Sequence, residues 1–266
     1  MNASHFTPRE TWHFDTDRIG RRVLVYDHVE STNTLAMTLA ASEEDADGLV
    51  LIADNQLAGR GQYGRAWRSR PGSSLLMSVV VRPPVELRRP VILTAWVAVA
   101  VADAVFSLTG AQARLKWPND LLIRSKKVCG ILIEQSSSAS GVITVAGIGL
   151  NLTQTADEFA QANLPDATSL GIVSGGLLDA RTAASVVLRK LDHEYARLIA
   201  GGRVVVEADW KWRVGLLGRQ VIIEHPGGGR STGRLRDMSF DGLEIEDAEG
   251  FVRVVAPESV THIRAA

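Results

Sequence analysis

The chain has 266 residues, 45% hydrophobic and 22% charged, with 29 Lys and Arg against 30 Asp and Glu for a net charge of −1. That balance argues against a surface devoted to nucleic acid, and the length suits one sizeable domain with a small one beside it. One cysteine, Cys129, permits no internal disulfide and fits a reducing compartment.

Residues 1–20 lack the apolar core of a signal peptide and read as a polar leader wrapped on a main domain over 21–215. Arg22–Tyr26 reads as a strand. Leu35, Ala36, Leu39 and Ala40 then fall on one helical face. Ser31 or Thr32 either caps that helix or, because a helix start presents unpaired donors, holds a polar ligand. Leu49–Ala53 reads as a short buried strand leading into Asp54–Trp67, a loop with Gly59, Gly61 and Gly64. Arg60 and Arg65 lie among the glycines and Trp67 follows. Guanidinium forks pair with carboxylate or phosphate, and an indole offers a flat apolar face. The loop therefore suits an anionic ligand that carries a planar ring. The glycines also satisfy the dinucleotide fingerprint G-x-G-x-x-G, but Pro71 and Gly72 oppose the helix that fingerprint must open.

Ser74–Val81 is a strand. Pro90 suits a helix first turn, and Ile92, Trp96, Val99, Ala102 and Phe106 mark a core helix in which Trp96 packs. The apolar run Val91–Val105 is closed by Asp103 before the roughly 20 residues a membrane span needs. Leu121–Ile123 and Lys126–Glu134 form a hairpin, and Trp117-Pro118 imposes extended backbone that fixes Asn119 and Asp120. On residue pattern alone Lys127 is a solvated edge lysine. A serine-rich turn over 136–141 leads to a strand over Val142–Ile148, ending in Gly149-Leu150-Asn151. Residues 153–179 read as loop. Helices cover Arg181–Ile199, with Ala184, Val187, Leu188, Leu191 and Tyr195 inward, and Val204–Lys211. Over 216–266, short strands at close turn spacing indicate a small β-barrel, marginal alone and therefore leaning on the main domain. The six histidines show no metal-ligand spacing, and no G-x-S-x-G elbow occurs.

Five motifs stand in order: Glu30-Ser-Thr-Asn33, Gln56-Leu-Ala-Gly-Arg-Gly61, Lys116-Trp-Pro-Asn-Asp120, Lys127-Val-Cys-Gly-Ile-Leu-Ile-Glu134 and Gly147-Ile-Gly-Leu-Asn151. Together they resemble the bacterial biotin–protein ligases over roughly residues 20–205, in the form without an N-terminal DNA-binding domain. The resemblance implies an α+β fold, a mixed, mostly antiparallel sheet with helices, followed by a C-terminal SH3-like barrel. It implies that biotin and MgATP give biotinyl-5′-adenylate, and that a lysine of a biotin carboxyl carrier domain, as in acetyl-CoA or pyruvate carboxylase, then takes the biotin. By the same resemblance Arg60, Lys116, Asp120 and Lys127 are catalytic. Ser31, Thr32, Asn33, Gln56, Arg60, Gly61, Gln62 and Lys127 contact biotin, while Gly59, Arg65, Trp67, Lys116 and Asn151 contact ATP or the adenylate. Asp120 either orients the incoming lysine or is structural. No resident metal, nucleic acid or membrane is implied; the expected protein is cytoplasmic, a monomer or a weak homodimer. Many family members carry Arg where this chain has Gln62, which implies weaker retention of the adenylate, with Tyr63 packing in compensation. The glycine loop is expected to order on binding. A lipoate or octanoate ligase or transferase of the same fold, and a non-catalytic biotin-responsive protein, are the alternatives.

Overall fold

A computed structural model of the chain describes residues 7–43, 45–138, 141–176 and 178–266. Its framework is an eight-stranded sheet. The strands are β1 (Glu10–Trp12), β2 (Val23–Val29), β3 (Val50–Gln56), β4 (Ser74–Val81), β5 (Arg114–Lys116), β6 (Asp120–Ile123), β7 (Lys126–Ser138) and β8 (Gly141–Asn151). Their spatial order is β1-β2-β3-β4-β8-β7-β6-β5. Neighbours pair antiparallel except β2 with β3. That pair needs a crossover, and helix α1 (Thr32–Ser42) supplies it.

The two faces of this sheet differ. Ile52, Val79, Ile131, Ile148 and Leu150 enter the larger core with α2 (Pro90–Thr109). By composition α2 could cross a membrane, but here it is an internal helix, buried nearly all round. Trp96 packs as expected, its Nε1 donating to the Leu191 carbonyl at 3.0 Å and its ring 4.8 Å from Tyr195. On the opposite face α1 buries Leu35, Ala36 and Ala40 against Leu51, Val80, Ile143 and Val145. Strand side chains alternate, so that face continues along β8 as Gly147, Gly149 and Asn151. Apolar residues give way to glycine there. This is where the site lies.

Several expectations change. The leader is part of the fold over its described residues: β1 joins the sheet, and the amides of Asp17, Arg18 and Ile19 donate to the Asp192 carboxylate. Phe106 is exposed, not inward. Residues 117–119 form a turn with a cis Trp117–Pro118 peptide, where extended backbone is expected. Ser136 and Ser137 belong to β7, while residues 139–140 of the expected turn lie outside the described residues. The stretch read as loop holds two short helices, α3 (Ala156–Gln161) and α4 (Leu170–Ser174). Each is too short for hydrophobic periodicity to reveal, and each is set by its cap. Thr155 and Glu158 form a capping box, and Ser169 accepts from the Ile172 amide.

Helices α5 (Ala180–Ile199) and α6 (Arg203–Val214) follow, both packing against α2. The C-terminal strands β9 (Gln220–Glu224), β10 (Arg230–Met238), β11 (Leu243–Glu246), β12 (Val252–Val255) and β13 (His262–Ala265) form a small SH3-like antiparallel sheet. Its order is β12-β11-β10-β9-β13, and the ladder does not close into a barrel. It leans on the main sheet, as its size requires, and shares one continuous core with it. Aromatic rings make the join. Trp117 stands 5.7 Å from Trp210, which stands 5.2 Å from Phe240, and Trp117 Nε1 donates to the Val260 carbonyl at 2.9 Å.

Candidate active site

Two adjoining cavities open on the glycine-rich face, with Ala66, Trp67 and Lys127 in the wall they share. The first is floored by polar side chains at the start of α1. Ser31 occupies the cap position, yet its side chain makes no capping bond. Gln56 takes that role from outside the helix: its Oε1 accepts from the Thr32 amide at 2.8 Å and from Thr32 Oγ1 at 3.0 Å. The Ser31 hydroxyl is thus not spent on the helix. Ser78 Oγ, from β4, donates to Asn33 Oδ1 at 2.6 Å and lies 2.7 Å from Thr32 Oγ1. Asn33 Nδ2 donates to Glu134 Oε2 at 2.7 Å. Thr32, Asn33 and Ser78 are buried and paired, with Gln56 and Glu134 half-buried beside them, so leaving one of the three unpartnered would cost about 1–3 kcal/mol.

The glycines of β8 make the floor possible. A Cβ on Gly147 would collide with the Asn33 amide, and one on Gly149 would stand 2.6 Å from the Trp67 ring. Gly130, paired with Gly149 across β7, gives the same ring room from the other side. The Trp67 indole therefore lies flat on two glycines, with Lys127 Nζ 5.4 Å from its ring centre. That approach suits a cation beside a π face.

The loop before Trp67 is a small hairpin. Arg60 and Ala66 bridge, Gly61 N donates to Arg65 O, and Trp67 N donates to Gly59 O. Its turn spans Gln62–Gly64, with Tyr63 at φ 56° and Gly64 at φ 73°. This is a left-handed bend that only Gly64 adopts without strain. Tyr63 meets His262 of β13 edge-on, ring centres 6.3 Å apart. These backbone bonds and the Tyr63–His262 contact define the loop's arrangement.

Charge at the site comes in opposed pairs. Lys127 Nζ stands 2.5 Å from Asp120 Oδ1, so Lys127 is half-buried and ion-paired where an edge lysine is expected to be solvated. Arg60 Nη2 meets both oxygens of Glu134, at 2.9 and 3.0 Å. No carboxylate forms an ion pair with Arg65 or Lys116 among the described residues. Lys116 pairs in register with Asp120 across β5 and β6, which brings it to the first cavity.

Of the residues singled out from the sequence, Ser31, Thr32, Asn33 and Gln56 line the first cavity, and so do Arg60, Gly61, Gln62 and Arg65. Trp67, Lys116, Asp120 and Lys127 complete that set. Asn151 lines only the second cavity, where its Nδ2 donates to the Thr168 carbonyl at 3.0 Å. Gly59 lines neither and acts through the backbone. Sequence reasoning missed Ser78, Glu134, Gln154, Phe159 and His262, all of which line a cavity or hold a residue that does. Glu134 ended a quoted motif and so had a signal; His262 had none. Cys129 points into the apolar core, and burial pushes its thiol pKa up, so a thioester route through it is closed.

The biotin/lipoate A/B protein ligase family model matches residues 25–151. The chain is 37% identical to the biotin–[acetyl-CoA-carboxylase] ligase of Mycobacterium tuberculosis over 92% of this chain and 90% of that one. It is 34% identical to the ligase of the same name from Paracoccus denitrificans, over 81% of this chain and 90% of that one. A biotin protein ligase from Aquifex aeolicus, solved in complex with biotin and ATP, superposes with a TM-score of 0.73 at 25% identity, covering 92% and 99% of the two chains.

Proposed function

This chain belongs to the biotin–protein ligase family, and from that premise we propose that its two adjoining cavities hold the two ends of biotinyl-5′-adenylate. The protein is an ATP-dependent ligase that activates biotin and transfers it to the acceptor lysine of a biotin carboxyl carrier domain. The observation that carries the site assignment is the shared wall of Trp67 and Lys127 between a polar cavity and one beside Asn151.

In this reading Ser31, Thr32, Asn33 and Gln56 meet the ureido ring, which needs paired donors and acceptors. The biotin carboxylate reaches the partition, and the adenine lies against Trp67 near Asn151. A carboxylate oxygen attacks the α-phosphorus, and the bond to pyrophosphate breaks. Two anions must approach for this, so fixed cations carry the catalysis. Lys127, Lys116 and Arg65 supply them. Lys127 leaves Asp120 for the adenylate, and Asp120 then orients the incoming lysine. That amine attacks the acyl carbon, AMP leaves and an amide forms. Magnesium enters as MgATP.

The acceptor domain is that of acetyl-CoA carboxylase or a related carboxylase. The enzyme works in the cytoplasm, as a monomer or weak dimer, with the catalytic unit over 21–215. Biotin-dependent ATP–pyrophosphate exchange tests the reading, with lipoate and octanoate as rivals. Exchange with biotin alone is expected. Exchange with lipoate or octanoate would move the substrate to a longer acyl acid, and biotin binding without exchange would leave only a sensor.

A further inference from the structure

Arg60 alone among the cations lining the first cavity is gripped by both oxygens of one carboxylate within the described residues. Glu134, which holds it, is itself held, because Oε2 accepts from Asn33 Nδ2 at 2.7 Å. Asn33 is fixed in turn by Ser78, at 2.6 Å, and lies over Gly147 where no side chain fits. The relay therefore runs from β4 through α1 and β7 into the glycine loop. At its end Arg60 bridges to Ala66, and Trp67, the next residue, donates to Gly59. Fixing Arg60 fixes the wall between the two cavities. One guanidinium nitrogen held by both oxygens of a charged partner is a charge-assisted contact that fixes where Arg60 stands.

We infer that Glu134 is a positioning residue that makes Arg60 the anchor of the glycine loop. The Arg60 charge is spent on Glu134, at a partly exposed pair, and the biotin carboxylate and α-phosphate are met by Arg65, Lys116 and Lys127. The inference rests on the ligase reading and departs from the ligand-facing role that family resemblance gives Arg60.

The test uses the full chain with Arg60→Met and Glu134→Gln, singly and together. Hydrogen exchange of residues 59–67 is measured without ligand, and binding is measured for biotin and for biotinamide, which keeps the rings and lacks the charge. Each single variant is expected to speed loop exchange about tenfold, and the double variant no further, because the two residues act as one unit. Both singles should weaken biotin and biotinamide by the same factor, and Glu134→Asp should recover part of the loop protection. Loop exchange unchanged in the singles would overturn the anchor. So would an Arg60→Met variant that loses about tenfold more affinity for biotin than for biotinamide, since a ligand-facing charge discriminates between them. A wild-type protein that bound neither compound would remove the ligase reading, and the ligand-free exchange cycle would still decide the anchor.

Discussion

Strand β8 carries two different surfaces on one backbone. Ile148 and Leu150 enter the core beside α2, while Gly147, Gly149 and Asn151, one residue out of phase, face the cavities. The first set is chosen for what it fills and the second for what it leaves open. Over residues 147–151 stability therefore resides on one face and recognition on the other, and changes on the two faces there should separate cleanly.

The largest effect should come from the core face. Leu150→Ala leaves a cavity in a fully buried position and should cost about 2–5 kcal/mol in denaturant unfolding. Biotin affinity of the protein that remains folded should be unchanged. On the other face, Lys127→Ala should lower biotin-dependent pyrophosphate exchange by about 100- to 1,000-fold, the usual loss when one fixed transition-state partner is removed. Its unfolding midpoint should stay near that of the wild type, because a partly exposed ion pair contributes little, at most about 1 kcal/mol.

Gln62 sharpens the comparison within the site. Its Oε1 is buried without a partner, and it stands where the family resemblance implies an arginine. Gln62→Arg should slow escape of biotinyl-adenylate about fivefold, the worth of one partly exposed charge pair. Equal escape rates, measured by rapid filtration, would remove that idea. The smallest effect lies far from the site. Asp179 caps α5, accepting from the Thr182 amide at 2.9 Å, and hydrogen bonding from the Thr182 side chain, then from its amide, holds the Asp179 carboxyl pKa below the usual range. Asp179→Ala should cost about 1 kcal/mol at neutral pH. The carboxylate is the stabilising form, so the penalty should shrink as pH falls through that lowered value.

How much of this was legible follows from the kind of signal each feature leaves. The apolar runs of β4 and β8 marked them as strands, and helical spacing marked the inward faces of α5 and, Phe106 apart, of α2, since burial leaves its pattern in the sequence. The glycine loop and the Gly147-Ile-Gly-Leu-Asn151 run marked the site face by composition. Partner choice was not legible. Gln56 replaces the Ser31 side chain at the start of α1, and Glu134 takes Arg60, because residues distant in sequence meet on neighbouring strands. His262 reaches the cavity from the C-terminal sheet, about which local pattern says nothing. The helices α3 and α4 were hidden by their length, although Thr155-x-x-Glu158 is a capping signal that could have revealed the first.

The most direct test of the two-faced strand is Gly149→Ala, assayed for biotin-dependent ATP–pyrophosphate exchange and for thermal unfolding on the same preparation. The added methyl would stand 2.6 Å from the Trp67 ring and must displace it from the partition. The expected result is exchange reduced by about tenfold or more, through a weaker hold on the nucleotide, with an unfolding midpoint close to wild type. Exchange at the wild-type rate would contradict the account, because the glycine face would then not be the floor on which the reaction is built.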